Sequence, residues 1–368
     1  MSERKIIYLD GLQEDDLMHW LQQHDGNIVR KLPLINAVVC EFSKALPTFE
    51  VQGLNYRGLK GIEDDVKISL IKPLFFNLER IFAFQPVAGA SLQRIGADKA
   101  WQYSRGKGVK VAVLDTGIDY RHPDLARSVA GGVNVLKDGK DPLDDNGHGT
   151  HISGIIGGYR PWGNFRGIAP EAQLFAVKAL DGKGEASVSD IIAGIQWCID
   201  NNMDLVNMSF GTEQELPALY TAVNNAYRKG LILVSAAGNT GKPNSVQYPA
   251  KYRETVAVSA LGLKDRIAKF SSTGQEVNIT APGEDIYSTW LNGQYKKVSG
   301  TSIANPHIVG TLALVLSLMR SKRVANLTNR NIVNVVYGSA TRLANLSTLE
   351  QGVGMVSALN AVRKVNGV

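Results

Sequence analysis

The sequence predicts an α/β protein: a three-layer domain with a mostly parallel central sheet flanked by helices, preceded by a small α+β module of ferredoxin-like pattern. Three observations carry this expectation. From Gly108 onward, apolar runs that read as strands alternate with helical stretches. The runs "VKVAVLD", "AQLFAVKAL", "LVNMSFG", "LILVSAAGN", "TVAVSAL" and "VNITAPG" are nearly continuous, as parallel strands covered on both faces are. Residues 1–70 instead follow the order strand, helix, strand, strand, helix, strand.

Within residues 1–70 the expected strands are Lys5–Leu9, Asn27–Lys31, Ile35–Phe42 and Asp65–Leu70, and the expected helices are Gln13–Gln23 and Pro47–Leu54. Residues 71–92 hold two prolines and no clean period and read as a connector. That leaves 93–368 for the larger domain. In open α/β sheets chemistry gathers at the carboxyl ends of strands. Asp115 closes one apolar run there and Asn239 follows another. Near the C-terminus, "KVSGTSIANPHIVG" passes from loop into a buried helix, where Pro306 is tolerated because the first turn does not need its N–H. Ser302 therefore lies at the positive end of a helix dipole, beside Gly300.

Composition narrows the functional class. With 368 residues, 44% hydrophobic and 20% charged, the chain suits a large globular core. No stretch reads as a membrane span of ~20 apolar residues, and "MSERKIIYLDGLQEDD" lacks a signal-peptide core. The expected compartment is cytoplasmic, or external if an export signal is missing from the chain. Cys40 and Cys198 both lie in apolar segments and read as buried, inert thiols. The net charge of +6 is spread without a Lys/Arg block or basic–aromatic interleaving, which argues against nucleic acid. Residues 1–70 hold 8 Lys/Arg against 11 Asp/Glu, and the remainder 32 against 23, so opposite net charges favour docking of the two parts.

Taken singly, the polar candidates have ordinary readings: Asp115 a turn residue, His148 a helix start, Asn239 a turn former, Ser302 an N-cap. His148 and His151 at i, i+3 could suggest zinc, but no Cys or Glu partner is spaced for it. Together the four fit one mechanism. A serine hydroxyl needs a neutral imidazole to take its proton, a carboxylate to fix that imidazole, and an amide to hold the oxyanion. Asp115, His148, Ser302 and Asn239 supply these roles in the order Asp, His, Ser.

The segments "VAVLDTGIDYRHPDL", "NGHGTHISG", "NMSFG", "SAAGN" and "SGTSIANPH" resemble the subtilisin-like serine proteases, in wording and in order, from about residue 95 to the end. The resemblance implies a catalytic triad of Asp115, His148 and Ser302, an oxyanion donor in Asn239, and a structural His151. It also implies that 1–70 is a propeptide, an intramolecular inhibitor that the enzyme cuts away, with the first cut after Leu70. Phe75, Phe76, Phe82 and Phe84 would receive later trimming cuts. Polypeptide substrates would lie as an added strand between Ser209-Phe210-Gly211 and Gly182-Lys183-Gly184, with Gly211, Ala236 and Gly238 leaving room for an apolar side chain. No membrane partner is implied.

Two departures from the family matter. Ile303 follows the nucleophile where many relatives carry Met. "GGYRPWGNFRGIAP" stands where many carry a calcium loop, and offers little beyond Asn164 to a cation that wants six to eight oxygens. Asp124 keeps the position of a family calcium ligand, and Asp141, Asp144 and Asp145 offer a different site, with a solvated acidic loop the stronger reading. No cofactor is needed for the chemistry, and a structural calcium is not favoured. The rival expectation is a catalytically silent scaffold that binds peptides or keeps its propeptide.

Overall fold

The computed structural model describes residues 3–9, 14–44, 46, 59–74, 89–161, 163 and 165–367. The expected helix Pro47–Leu54 and the four connector phenylalanines fall outside them, as does Asn164. The N-terminal module contains β1 (Glu3–Leu9), α1 (Glu14–Gln23), β2 (Gly26–Leu32), β3 (Ala37–Phe42) and β4 (Leu59–Asp64). Its sheet is antiparallel in the order β2-β3-β1-β4. Alternation sorts its side chains. Ile7, Val38, Cys40 and Phe42 meet Leu17, Trp20 and Leu21 of α1. Ile6, Leu32, Ala37 and Val39 face the larger domain and merge with its core.

Asp65–Leu70 departs from the expectation. The module's fourth strand is β4, and β5 (Lys67–Leu70) leaves that sheet for the larger domain. The reason lies in partners: Tyr8 and Lys5 of β1 bond Glu63 and Asp64 of β4, whereas the Asp65 side chain is drawn to Ser189.

In the larger domain, short helices α2 (Ala90–Arg94) and α3 (Ala97–Ala100) precede β6 (Lys110–Asp115) and β7 (Val129–Asn134). Next come α4 (His148–Gly157), β8 (Gln173–Lys178), β9 (Glu185–Ser187), α5 (Val188–Asp200), β10 (Leu205–Met208), β11 (Phe210–Gly211), α6 (Pro217–Arg228) and β12 (Ile232–Ala236). The chain closes with β13 (Thr255–Leu261), β14 (Ile279–Pro282), β15 (Ile286–Thr289), β16 (Tyr295–Val298), α7 (Thr301–Ser321), α8 (Asn329–Tyr337), α9 (Thr348–Gln351) and α10 (Ala358–Asn366). Seven strands form one sheet, β14-β13-β12-β10-β6-β8-β7, and every pairing in it is parallel.

All six apolar runs named above are strands of this sheet. β7, "VAGGVN", has too few apolar residues to be read from sequence; a Cβ at Gly132 would fall 2.2 Å from the Ala176 carbonyl, so glycine is required for the pairing. Val111 and Val113 face one side with α4, α7 and α10, while Ala112 and Leu114 face the other with α5 and α6. Three layers result. α7 is long and apolar enough to cross a membrane, contrary to the expectation that no stretch is, but 94% of that window is buried in the core. Both cysteines are free and buried, and burial pushes the Cys40 thiol up to about 12, which keeps it an unreactive thiol.

The ion pairs between module and domain among the described residues do not follow the net charges. Arg30 of the module lies 2.6 Å from Asp190, and Lys67 lies 3.0 Å from Glu185. Individual pairs of the opposite sense do the matching, joined by Asn225 Nδ2 donating to the Leu34 carbonyl.

Candidate active site

β6 ends at Asp115, whose carboxylate is fully buried. The His148 ring nitrogen Nδ1 stands 2.8 Å from Asp115 Oδ1 and 3.0 Å from Oδ2. An ionised carboxylate accepts, so Nδ1 carries the proton and Nε2 is left as a base. His148 opens α4, and Asp144 holds that helix start. Its Oδ1 accepts from Thr116 Oγ1 and from the N–H groups of Asn146 and Gly147; its Oδ2 accepts from Thr150 N and Oγ1. Gly149 lets the turn close, since a Cβ there would lie 2.1 Å from the Gly117 carbonyl.

Ser302 is fully buried in the first turn of α7. Ser302 Oγ and His148 Nε2 both lack a hydrogen-bond partner among the described residues. Such bonds often tighten only with substrate in place. Asn239 is fixed from the same helix: Oδ1 accepts from Thr301 N and Thr301 Oγ1, each at 2.9 Å, which turns Nδ2 toward the cleft.

The cleft is filled by the chain itself. β5 lies antiparallel between β11 and β9. Leu70 N–H donates to the Gly184 carbonyl at 2.8 Å and Ile71 N–H to the Ser209 carbonyl at 3.2 Å. Lys72 places its carbonyl 3.0 Å from Asn239 Nδ2. Leu74 and Ser299 then exchange two backbone bonds of 2.8 and 3.1 Å. The carbonyl at Asn239 thus belongs to Lys72, two residues beyond Leu70, and the next residue is Pro73.

Of the expected cleft residues, Gly184, Ser209, Phe210 and Gly211 pair with this segment. Gly182 and Lys183 do not: the Gly182 carbonyl accepts from Asn146, and Lys183 N–H donates to Asp181. Ala236 ends β12 in the sheet. Gly211 and Gly238 both face Gln247, which a Cβ at either would meet at about 3 Å, and Ile71 leans over Gly211. Gln247 is a wall of this region that nothing in "SVQYPA" signals.

His151 is structural, with Nε2 shared by the carbonyls of Ile286 and Lys296; burial drives its pKa down to about 3. The metal candidates have protein partners. Asp124 is 3.2 Å from Arg160 Nε and accepts from Tyr295 OH. Asp145 is 2.6 Å from Lys178 Nζ, Asp144 is committed to α4, and the Asp141 carboxylate accepts from the Tyr120 hydroxyl. No group of three acidic, His or Cys side chains forms a metal cage among the described residues. The donor set does not fit a hard cation, because Arg160 already brings positive charge to Asp124.

A buried carboxylate bonded to an imidazole, a buried hydroxyl at a helix start and an amide aimed into the cleft thus lie at the carboxyl end of a parallel sheet. Comparison with family models matches residues 106–355 to the subtilase family. The chain belongs to that family of subtilisin-like serine proteases. It is 47% identical over 61% of its length to the minor extracellular protease Epr of Bacillus subtilis, and this covers 35% of that protein. A thermostable alkaline protease of Halalkalibacterium halodurans is 42% identical over 70% of the chain and 68% of the relative. An intracellular serine protease of Paenibacillus polymyxa is 37% identical over 75% of the chain and 87% of the relative.

Proposed function

We propose that this subtilase is a serine endopeptidase whose own residues 67–74 close its cleft until they are cut away. His148 Nε2 takes the proton of Ser302 Oγ as the oxygen attacks a peptide carbonyl. Asp115 holds the imidazole and stabilises its charged form. Asn239 Nδ2 and the Ser302 N–H hold the oxyanion. His148 then gives its proton to the leaving amine, and water resolves the acyl-enzyme by the same route in reverse. Main-chain pairing with β9 and β11 makes the enzyme tolerant of many peptide sequences.

One observation carries the reading: an extended peptide fits between β9 and β11 with a carbonyl 3.0 Å from Asn239 Nδ2. That segment also supports the inhibitory role of residues 1–70. The peptide bond that follows the held carbonyl is Lys72–Pro73, a tertiary amide in which a ring carbon replaces the hydrogen on the leaving nitrogen. The resting register therefore resists cleavage, and release proceeds by self-cleavage elsewhere in the segment or after a shift of register. A fluorophosphonate probe tests the activity. Labelling of Ser302 once the N-terminal segment is removed supports the enzyme, and its absence supports the silent scaffold.

A further inference from the structure

α7 begins at Thr301, so Pro306 stands in its second turn and not, as expected from sequence, in its first; it has no N–H, and the carbonyl of Ser302, four residues earlier, has no helical partner. The structure supplies one from outside the helix. Ser209 Oγ donates to the Ser302 carbonyl at 3.2 Å. Asn207 Nδ2 donates to Ser209 Oγ at 3.0 Å, and Asn305 Nδ2 donates to Asn207 Oδ1 at 3.0 Å. The bonds thus leave α7 at Ser302, cross the end of β10, and return to α7 at Asn305.

Asn305 also reaches the Val234 carbonyl on β12 at 3.1 Å and the Met208 carbonyl on β10 at 3.4 Å. All four side chains are fully buried. Among the described residues Asn305 Oδ1 has no partner, an orphaned acceptor that an apolar residue at this position would avoid. Ser209 has a second task, since its carbonyl accepts from Ile71 of the strand in the cleft. One residue therefore ties the peptide-binding edge to the helix that carries the hydroxyl.

We propose that Asn305 is a positioning residue: acting through Asn207 and Ser209, it fixes the Ser302 backbone and so aims Oγ between His148 and the oxyanion donors. The inference rests on Ser302 being the nucleophile. The test compares Asn305→Ser and Ser209→Ala, after removal of the N-terminal segment, for kcat and KM on a chromogenic peptide, fluorophosphonate labelling rate and melting temperature. Rates are expressed per titrated site. Both variants are expected to lose about 10- to 100-fold in kcat and in labelling rate, with KM within about twofold. The double variant falls no further than the worse single one, because both cut one chain.

A lowered melting temperature with kcat per site unchanged would make Asn305 structural only and overturn the proposal. Additive losses would overturn the chain of bonds. If Asn305→Ser fails to fold, Ser209→Ala, which removes a single oxygen, decides the matter by the same readouts. Ser302→Ala serves as the control. Labelling that persists there overturns the nucleophile assignment itself, so the two failures are told apart.

Discussion

Asp65 of the N-terminal module accepts hydrogen bonds from Ser189 N at 2.9 Å and Ser189 Oγ at 2.8 Å, at the first turn of α5. A carboxylate from one part of the molecule thus serves the helix start of another. Glu63 does the same for α6, where Ala218 N–H donates to it.

Asp65→Ala is expected to loosen docking by ~1–2 kcal/mol, the usual worth of a helix cap. The measurement is hydrogen exchange in β5 within a Ser302→Ala background. Burial raises the Asp65 pKa against the pull of Ser189 and Arg4. A raised carboxylate pKa means that this group's contribution is greatest below its free pKa and declines as pH rises through the docked one. Mild acid therefore leaves this contact in place; lower β5 protection at pH 5 than at pH 7, with rates corrected for intrinsic exchange and the effect absent in Asp65→Asn, would contradict the sign.

Asn239→Leu nearly conserves volume while removing the oxyanion donor. The expected outcome is the loss known for this donor in subtilisin-type enzymes, about 10²- to 10³-fold in kcat, with KM little changed. An effect confined to KM would assign Asn239 to substrate binding alone.

Arg160→Ala leaves the buried Asp124 carboxylate with Tyr295 as its remaining partner. Arg160 is half exposed, so the expected destabilisation is a moderate ~1–2 kcal/mol in urea unfolding. EDTA is expected to shift the melting temperature of the unmutated domain only slightly. A large calcium-dependent rise would show a cation site that these contacts do not explain.

His151 and His307 are fully buried, and desolvation lowers their pKa values to about 3 and about 4. Unfolded, each titrates near 6.5, so the unfolded state binds more protons as pH falls below that value. Stability is full above pH 6.5 and falls on acidification, by up to about 1.4 kcal/mol per histidine per pH unit down to the folded pKa. Urea midpoints of Ser302→Ala between pH 7 and pH 4.5 measure this, and a flat profile would refute it.

Pro73→Ala turns the bond held at Asn239 into an ordinary amide. Faster appearance of an N-terminal fragment ending at Lys72 is expected, and mass spectrometry reads it directly. A first fragment ending at Leu70, unaffected by this substitution, would instead support cutting in a shifted register.

Much of this was legible in sequence because chemistry and topology share positions. Asp115, Asn239 and the six apolar runs announce strand ends, and "HGTH" and "GTSIANP" announce helix starts. β7 was hidden because its pairing demands glycines where a strand reader expects apolar side chains. β5 was misplaced because local pattern shows that a segment is extended, not which sheet receives it. Gln247 and Asn305 were missed, and Asp144 was read as a metal candidate or solvated acid and not as the holder of a helix start, for a related reason: their partners are not marked by any local pattern, and a lone polar residue carries no period. The pairing of Asp124 with Arg160 was out of reach in the same way, since only the fold brings the two together.

β5 precedes both of its cleft partners, β9 and β11, in the chain. During synthesis the segment that fills the cleft is therefore made before either wall, and Ser302 is made after all three. The first peptide to meet a newly formed cleft is a tethered one, present at an effective concentration that a protein in free solution does not match. Under the proposed function, newborn molecules would mature with the cleft already filled, and neighbouring proteins would meet the hydroxyl only after the tethered occupant departs.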